Sequence, residues 1–110
     1  HGALCAALLP HVMEANISVL HSRASDSPAL ERYKEVARIV TGNPGAVADQ
    51  GVIWVQELCR QLHIPTLAAY GLEKADFSTI VAKSQNASSM KGNPITLTNQ
   101  ELLDILDQAF

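Results

Sequence analysis

Charge is what this sequence has least of. Only 17% of its 110 residues are Asp, Glu, Lys or Arg, against the roughly 25% usual for soluble domains. A charge-poor exterior on a chain this small suggests a face meant for a partner. The eight Lys and Arg are dispersed and the net charge is −3, so no basic stripe marks a nucleic-acid surface. No apolar run approaches the ~18 residues that would suggest a membrane span. Gly2 to Leu9 is apolar but lacks a charged leader and a cleavage site, so it does not read as a signal peptide. The two cysteines, Cys5 and Cys59, read as buried thiols of a reducing compartment. The sequons at Asn16 and Asn86 are then coincidences, and the expected location is cytoplasmic. Catalytic motifs are missing as well. Gly42-Asn43-Pro44-Gly45 follows a helical pattern rather than a strand, and Pro44 removes an N–H that a phosphate cradle would need. No CxxC pair, HExxH or nucleophile elbow occurs.

What is present is helical periodicity. Leu4, Leu8 and Val12, with Leu9, Met13, Ile17 and Leu20, recur at steps of three or four, predicting a helix over about Gly2 to Leu20 that Pro10 kinks or splits. His21 to Ser27 is polar and reads as a loop. Ser27 can cap a second helix with Pro28 at its first position, where the missing N–H costs nothing. Leu30, Tyr33, Val36, Ala37 and Val40 form its inner stripe, and Gly42 to Gly45 stop it. A third helix is expected from about Ala46 to Leu62, with Val47, Gly51, Trp54, Val55, Leu58, Cys59 and Leu62 on one side. Thr66 is placed to cap a short turn, Leu67 to Tyr70. A fourth helix follows over about Glu73 to Ser88, with Phe77, Ile80, Val81 and Ser84 inside. After Gly92-Asn93-Pro94, Thr98 and Glu101 match a capping box that opens the last helix, lined by Leu102, Ile105, Leu106 and Ala109. The expectation is an all-α bundle of about five helices.

Four histidines are the remaining chemistry. His1 with Cys5, and Cys59 with His63, would share helix faces, but two ligands do not make a closed metal site. Cys59 reads as a core thiol and His63 as a cation-capable cap at a helix C-terminus. His11, beside Pro10, is expected to hydrogen-bond at the kink, and His21 to be solvated.

Four local phrases narrow the field. His1-Gly2, then Leu8-Leu9-Pro10-His11-Val12-Met13 and Asn16, resembles the start of the C-terminal region of iron-containing (group III) alcohol dehydrogenases. Ile64-Pro65-Thr66, Leu67 and Tyr70-Gly71-Leu72 is similar to that family's IPT…L…GL segment. Gly92-Asn93-Pro94, followed by Leu97-Thr98, Glu101-Leu102 and Ile105-Leu106, resembles its GNP…LT…E…IL ending. Two departures stand out. The family commonly has an aromatic before Asn16, where this chain has Ala15, and its GGNPR is Lys91-Gly92-Asn93-Pro94-Ile95 here.

The resemblance implies that residues 1–110 are part of the helical, metal-side domain of a dehydroquinate synthase-like two-domain fold. An N-terminal domain binding NAD or NADP would be the missing partner. The metal, Fe2+ or in some members Zn2+, is held in that family by one Asp and three His, and the last of these maps onto His1. The implied chemistry is hydride transfer between a small alcohol or aldehyde and the nicotinamide, with the ion polarising the substrate oxygen. Ser88, Ser89 and Met90 fall where the family's loop approaches the substrate pocket. With one ligand of four, the isolated chain is expected to hold no metal tightly and to be inactive. Other expectations are no nucleic-acid or membrane partner and a homo-oligomeric assembly. Two rival readings remain: the same domain of a glycerol dehydrogenase or maleylacetate reductase-like relative, and a stand-alone helical interaction module without catalysis.

Overall fold

One helix organises the whole molecule. In the computed structural model, which describes residues 2–110, α1 runs unbroken from Gly2 to Arg23. It passes straight through Pro10 and absorbs the His21–Arg23 segment expected as loop. Proline removes the N–H that would bond the carbonyl four residues back, here that of Ala6. The Cys59 thiol lies 3.8 Å from that same oxygen and donates to it, so the orphaned carbonyl has a partner from another helix.

By length and composition α1 is apolar enough to cross a bilayer, with a hydropathy of 1.5 over its most apolar window, contrary to the expectation from uninterrupted runs. Its composition has a packing reason. Ala7 and Val19 join a core with Leu67, Phe77, Val81, Leu97 and the α5 stripe. Met13, Ile17 and Leu20 join a second core with Leu30, Val52 and Val55. A helix walled by core on two sides is hydrophobic most of the way round.

The second core belongs to a helical hairpin, α2 (Pro28–Thr41) and α3 (Ala48–Gln61). Ser27 Oγ accepts the Ala29 N–H at 3.2 Å and Pro28 occupies the first turn, as the sequence predicts. Gly42 ends α2 in the left-handed region, φ 69°, where glycine carries no Cβ penalty. Helix α3 starts two residues later than expected, with the Gln50 side chain accepting the Val47 N–H at 2.8 Å. Its buried face is Ala48, Gly51, Val52 and Val55. Val47, Trp54 and Leu62, expected inside, are exposed.

At its C-terminus, Ile64 N–H bonds Cys59 O at 3.0 Å and His63 N–H bonds Arg60 O at 3.2 Å, a Schellman motif. This places His63 at φ 55°, a conformation that costs an L-residue with a Cβ about 1 kcal/mol. His63→Gly is therefore expected to stabilise the fold by about that amount, raising the urea midpoint; an unchanged or lower midpoint would contradict it.

The expected fourth helix is shorter. A 3-10 turn at Lys74–Asp76 leads into α4 (Phe77–Gln85), and a separate 3-10 turn covers Ser88–Gly92. Gln85-Asn86-Ala87-Ser88-Ser89 contains side chains that compete with the helical backbone for hydrogen bonds, and the chain breaks there. Helix α5 (Asn99–Ala109) carries the capping box as read: Thr98 Oγ1 accepts from Glu101 N–H at 3.1 Å, and Glu101 Oε1 accepts from Thr98 N–H at 2.8 Å. The assembly has extents of 42 × 32 × 20 Å, the shortest of which matches two helix diameters. Among the described residues there are five α-helices and no strands, and the all-α expectation holds.

Glu101 also ties the two ends of this framework together. Arg23, at the end of α1, donates to both Glu101 oxygens at 2.8 and 3.1 Å, and to Thr96 O at 2.6 Å. The Arg23 hydrogen bonds, then the Thr98 backbone N–H, hold the Glu101 carboxyl down to about 2 from a usual 4.5. A pKa depressed by folding contributes stability above the unfolded value, and that contribution is lost as pH falls through the folded one. The window here is pH 4.5 down to about 2. The pair is part-exposed and solvent-screened, so Glu101→Gln should lower Tm at pH 7 by only about 5 °C. That gap should close near pH 2; a gap independent of pH would contradict the assignment.

Candidate functional site

The Ser88–Gly92 turn and Pro94 form one rim of an apolar groove of about 710 Å³. Leu9, Val12 and Met13 of α1 form its floor, with Tyr33 and Val36 of α2 and Val55 of α3 opposite the turn. Its α1 floor begins about 10 Å along the helix from Gly2, at 1.5 Å per residue. No charged side chain lines it.

Three polar side chains fix the geometry. Asn16 is 1% exposed, the one buried polar residue of the core among the described residues. Its amide donates to Asn93 Oδ1 at 2.9 Å and to the Tyr33 hydroxyl at 3.1 Å. Asn93 Nδ2 in return donates to Asn16 Oδ1 at 2.8 Å and to Ile95 O at 2.7 Å. All four amide hydrogens thus have protein acceptors, and a buried network satisfied to this degree rigidifies its surroundings. It pins the rim to α1 and to α2 at once. It also explains why the Asn16 sequon is a coincidence: a buried, bonded amide is no glycan acceptor.

The expected site residues divide. Ser89 and Met90 line the groove; Ser88 is exposed and outside its lining. His1, the expected metal ligand, lies outside the described residues. Cys5, expected buried, is exposed. His11 is half-buried and its Nδ1 is buried with no hydrogen-bond partner among the described residues, so the bond expected at Pro10 is not made by that atom. It faces a pocket of about 150 Å³ with Cys59, Pro65 and Thr66. His21 sits on the last turn of α1, beside a groove shared with Glu14 and Asp49.

Among the described residues no three His, Cys, Asp or Glu side chains converge to hold a metal ion. The described residues therefore do not by themselves fit the iron site that the family resemblance implies. The two departures from the family's phrases fall in different surroundings, and nothing in the structure explains the small side chain of Ala15. Ile95 packs against both cores. Ala15 borders a surface pocket of about 250 Å³ beside Val19 and Ile105, space that a larger side chain would fill.

Fold and groove together describe a helical domain that presents one apolar wall, with its rim bonded firmly in place. Residues 1–110 match the model of the Fe-containing alcohol dehydrogenase family, C-terminal. The match spans every residue, and the chain belongs to that family. No curated protein and no solved structure matches it.

Asn16 and Asn93 stood in the sequence phrases, but nothing in their spacing announced that they touch. They lie 77 positions apart. The available signal was a lone asparagine, Asn16, flanked on α1 by apolar positions that pack on both sides.

Proposed function

We propose that this chain forms one wall of the catalytic cleft of a metal-dependent, NAD(P)-linked alcohol dehydrogenase, interconverting alcohols and aldehydes by hydride transfer in the cytoplasm. The full-length family match carries the reading, and the uncharged groove beside Ser89 and Met90 supports it. In this reading His1 is one ligand of an iron or zinc ion, and the other ligands come from outside the described residues. An N-terminal dinucleotide-binding domain covers the groove and supplies the nicotinamide. The work of residues 2–110 is positional: the Asn16–Asn93 pair holds the rim that orients the substrate.

The test compares the isolated chain with the full polypeptide of the same reading frame. The full polypeptide should reduce NAD or NADP with a primary alcohol in the presence of iron. His1→Ala should lower metal content and kcat/KM by about 100-fold or more. Alcohol oxidation by the isolated chain with added iron and NAD would overturn the reading, as would undiminished metal binding in His1→Ala.

A further inference from the structure

The core shared by α1, α4 and α5 is not filled throughout. It contains a cavity of about 190 Å³, more enclosed than the groove. Leu8, Ile80, Val81, Leu102, Ile105 and Leu106 supply most of its wall. Protein interiors hold few spaces larger than a water molecule. A space this large among core side chains costs stability, which an occupant of the right chemistry would restore.

The wall decides that chemistry. Its polar side chains, among the described residues, are Ser84 and Asn93. Ser84 Oγ donates to Ile80 O at 2.8 Å, and the Asn93 amide hydrogens go to Asn16 Oδ1 and Ile95 O. No side-chain O–H or N–H of the wall remains for an oxygen or nitrogen of a guest. No charged side chain lines it either. A buried water needs about two to four polar partners, whereas an apolar cavity of about 150 Å³ stays dry and binds benzene.

Three residues line both the cavity and the groove: Val12 on α1, and Met90 and Asn93 on the rim. Met90 is flexible and unbranched, a side chain that adapts to whatever adjoins it. A guest on its inner side therefore bears on the rim.

We propose that the cavity binds a small nonpolar molecule of benzene size, and that its occupancy braces the groove rim through Met90 and Asn93. The guest is not a substrate. It sits behind the rim, inside the helical core, and its binding needs neither a metal nor a nicotinamide.

The two methionines of the chain, Met13 and Met90, both line the groove, but only Met90 also lines the cavity. Methyl-labelled methionine therefore tells the two spaces apart by NMR. In the 110-residue chain, benzene should shift the Met90 methyl saturably and leave Met13 nearly unmoved. Neutral pyridine, of the same size, should bind about tenfold more weakly, because its acceptor nitrogen would be buried without a donor. Val81→Ile narrows the cavity and should weaken benzene about threefold or more. Val81→Phe should abolish binding, and the isoleucine variant keeps the test open if the phenylalanine variant does not fold. Val36→Ala, which alters the groove alone, should leave the benzene affinity unchanged.

The amides of Met90 and Asn93 bond Ala87 O and Met90 O, both at 3.1 Å, so their hydrogen exchange reports opening of the rim. With benzene at about ten times its Kd, that exchange should slow about tenfold. The absence of a saturable Met90 shift, a Met13 shift as large as that of Met90, or pyridine matching benzene would overturn the site. So would an affinity untouched by Val81→Ile. Exchange unchanged at saturation would overturn the bracing. The dehydrogenase reading stands or falls separately, on turnover by the full polypeptide.

Discussion

Replacing Asn93 with alanine should lower Tm by about 15 °C, a loss of about 3 kcal/mol. The substitution removes few atoms. Its cost lies in what stays behind: Asn16 is 1% exposed, and it loses both the donor to its Oδ1 and the acceptor of one N–H. Each buried polar group left unsatisfied costs about 1–3 kcal/mol. Asn93→Asp keeps an acceptor but removes both donors, so it should also destabilise strongly. Because the two amides act as a unit, Asn16→Ala combined with Asn93→Ala should cost less than the sum of the singles, by about 2 kcal/mol. Thermal melts of the four proteins check this. A Tm change below about 3 °C in Asn93→Ala would contradict the network's role. Hydrogen exchange adds a local reading: amides of the Ser88–Pro94 segment should lose protection before those of α3.

Gly51→Val should cost a similar amount, about 3 kcal/mol, for the opposite reason: too many atoms. Glycine inside a helix is itself unfavourable by about 1 kcal/mol relative to alanine, so its presence in α3 needs a packing reason. A Cβ built at Gly51 would lie 3.1 Å from the Ala37 Cβ and 3.2 Å from the Ala37 Cα. Helices α2 and α3 therefore touch nearly backbone to backbone at this point. A branched side chain would push α2 away, carrying Tyr33 off Asn16 and Val36 off the groove. Gly51→Ala is expected to lie within about 1 kcal/mol of wild type, since gained helix propensity offsets the tight contact. Ala37→Gly should recover part of the valine penalty. Urea denaturation of the single and double variants decides it, and a Gly51→Val midpoint equal to wild type would show that the helices are not held at this distance.

Local chemistry was the legible part of the fold. Ser27, Pro28, Gly42, Thr98 and Glu101 act within a few residues of themselves, and each does in the structure what its type and spacing imply. Facing was harder to read. In α3 the apolar positions cover a wide arc, and periodicity alone does not say which part of it packs. The choice is made by the partners: Ala37 across the hairpin lies against Gly51, and Met13, Ile17, Leu20 and Leu30 form one core with Val52 and Val55, which leaves Trp54 and Leu62 outside. Proline misled for a related reason. Pro10 looked like a break because its cost is local, whereas the compensation at Ala6 O comes from the Cys59 thiol, 53 positions from that carbonyl.

The candidate site divides along the same line. Ser89 and Met90 were singled out by resemblance to known sequences, and both border an apolar groove. The bonds that hold that groove open, from Asn16 to Asn93 and Tyr33, are long-range contacts. No pattern of spacing encodes them.

The most direct test of the proposal that this chain builds one wall of a cleft is its metal stoichiometry when isolated. The 110-residue chain, equilibrated with Fe2+ or Zn2+ and passed through a desalting column, should retain well under one equivalent of metal, because among its described residues no three ligands converge. Retention of one equivalent, lost on replacing side chains of this chain alone, would show a complete metal site within it and contradict the cleft-wall reading.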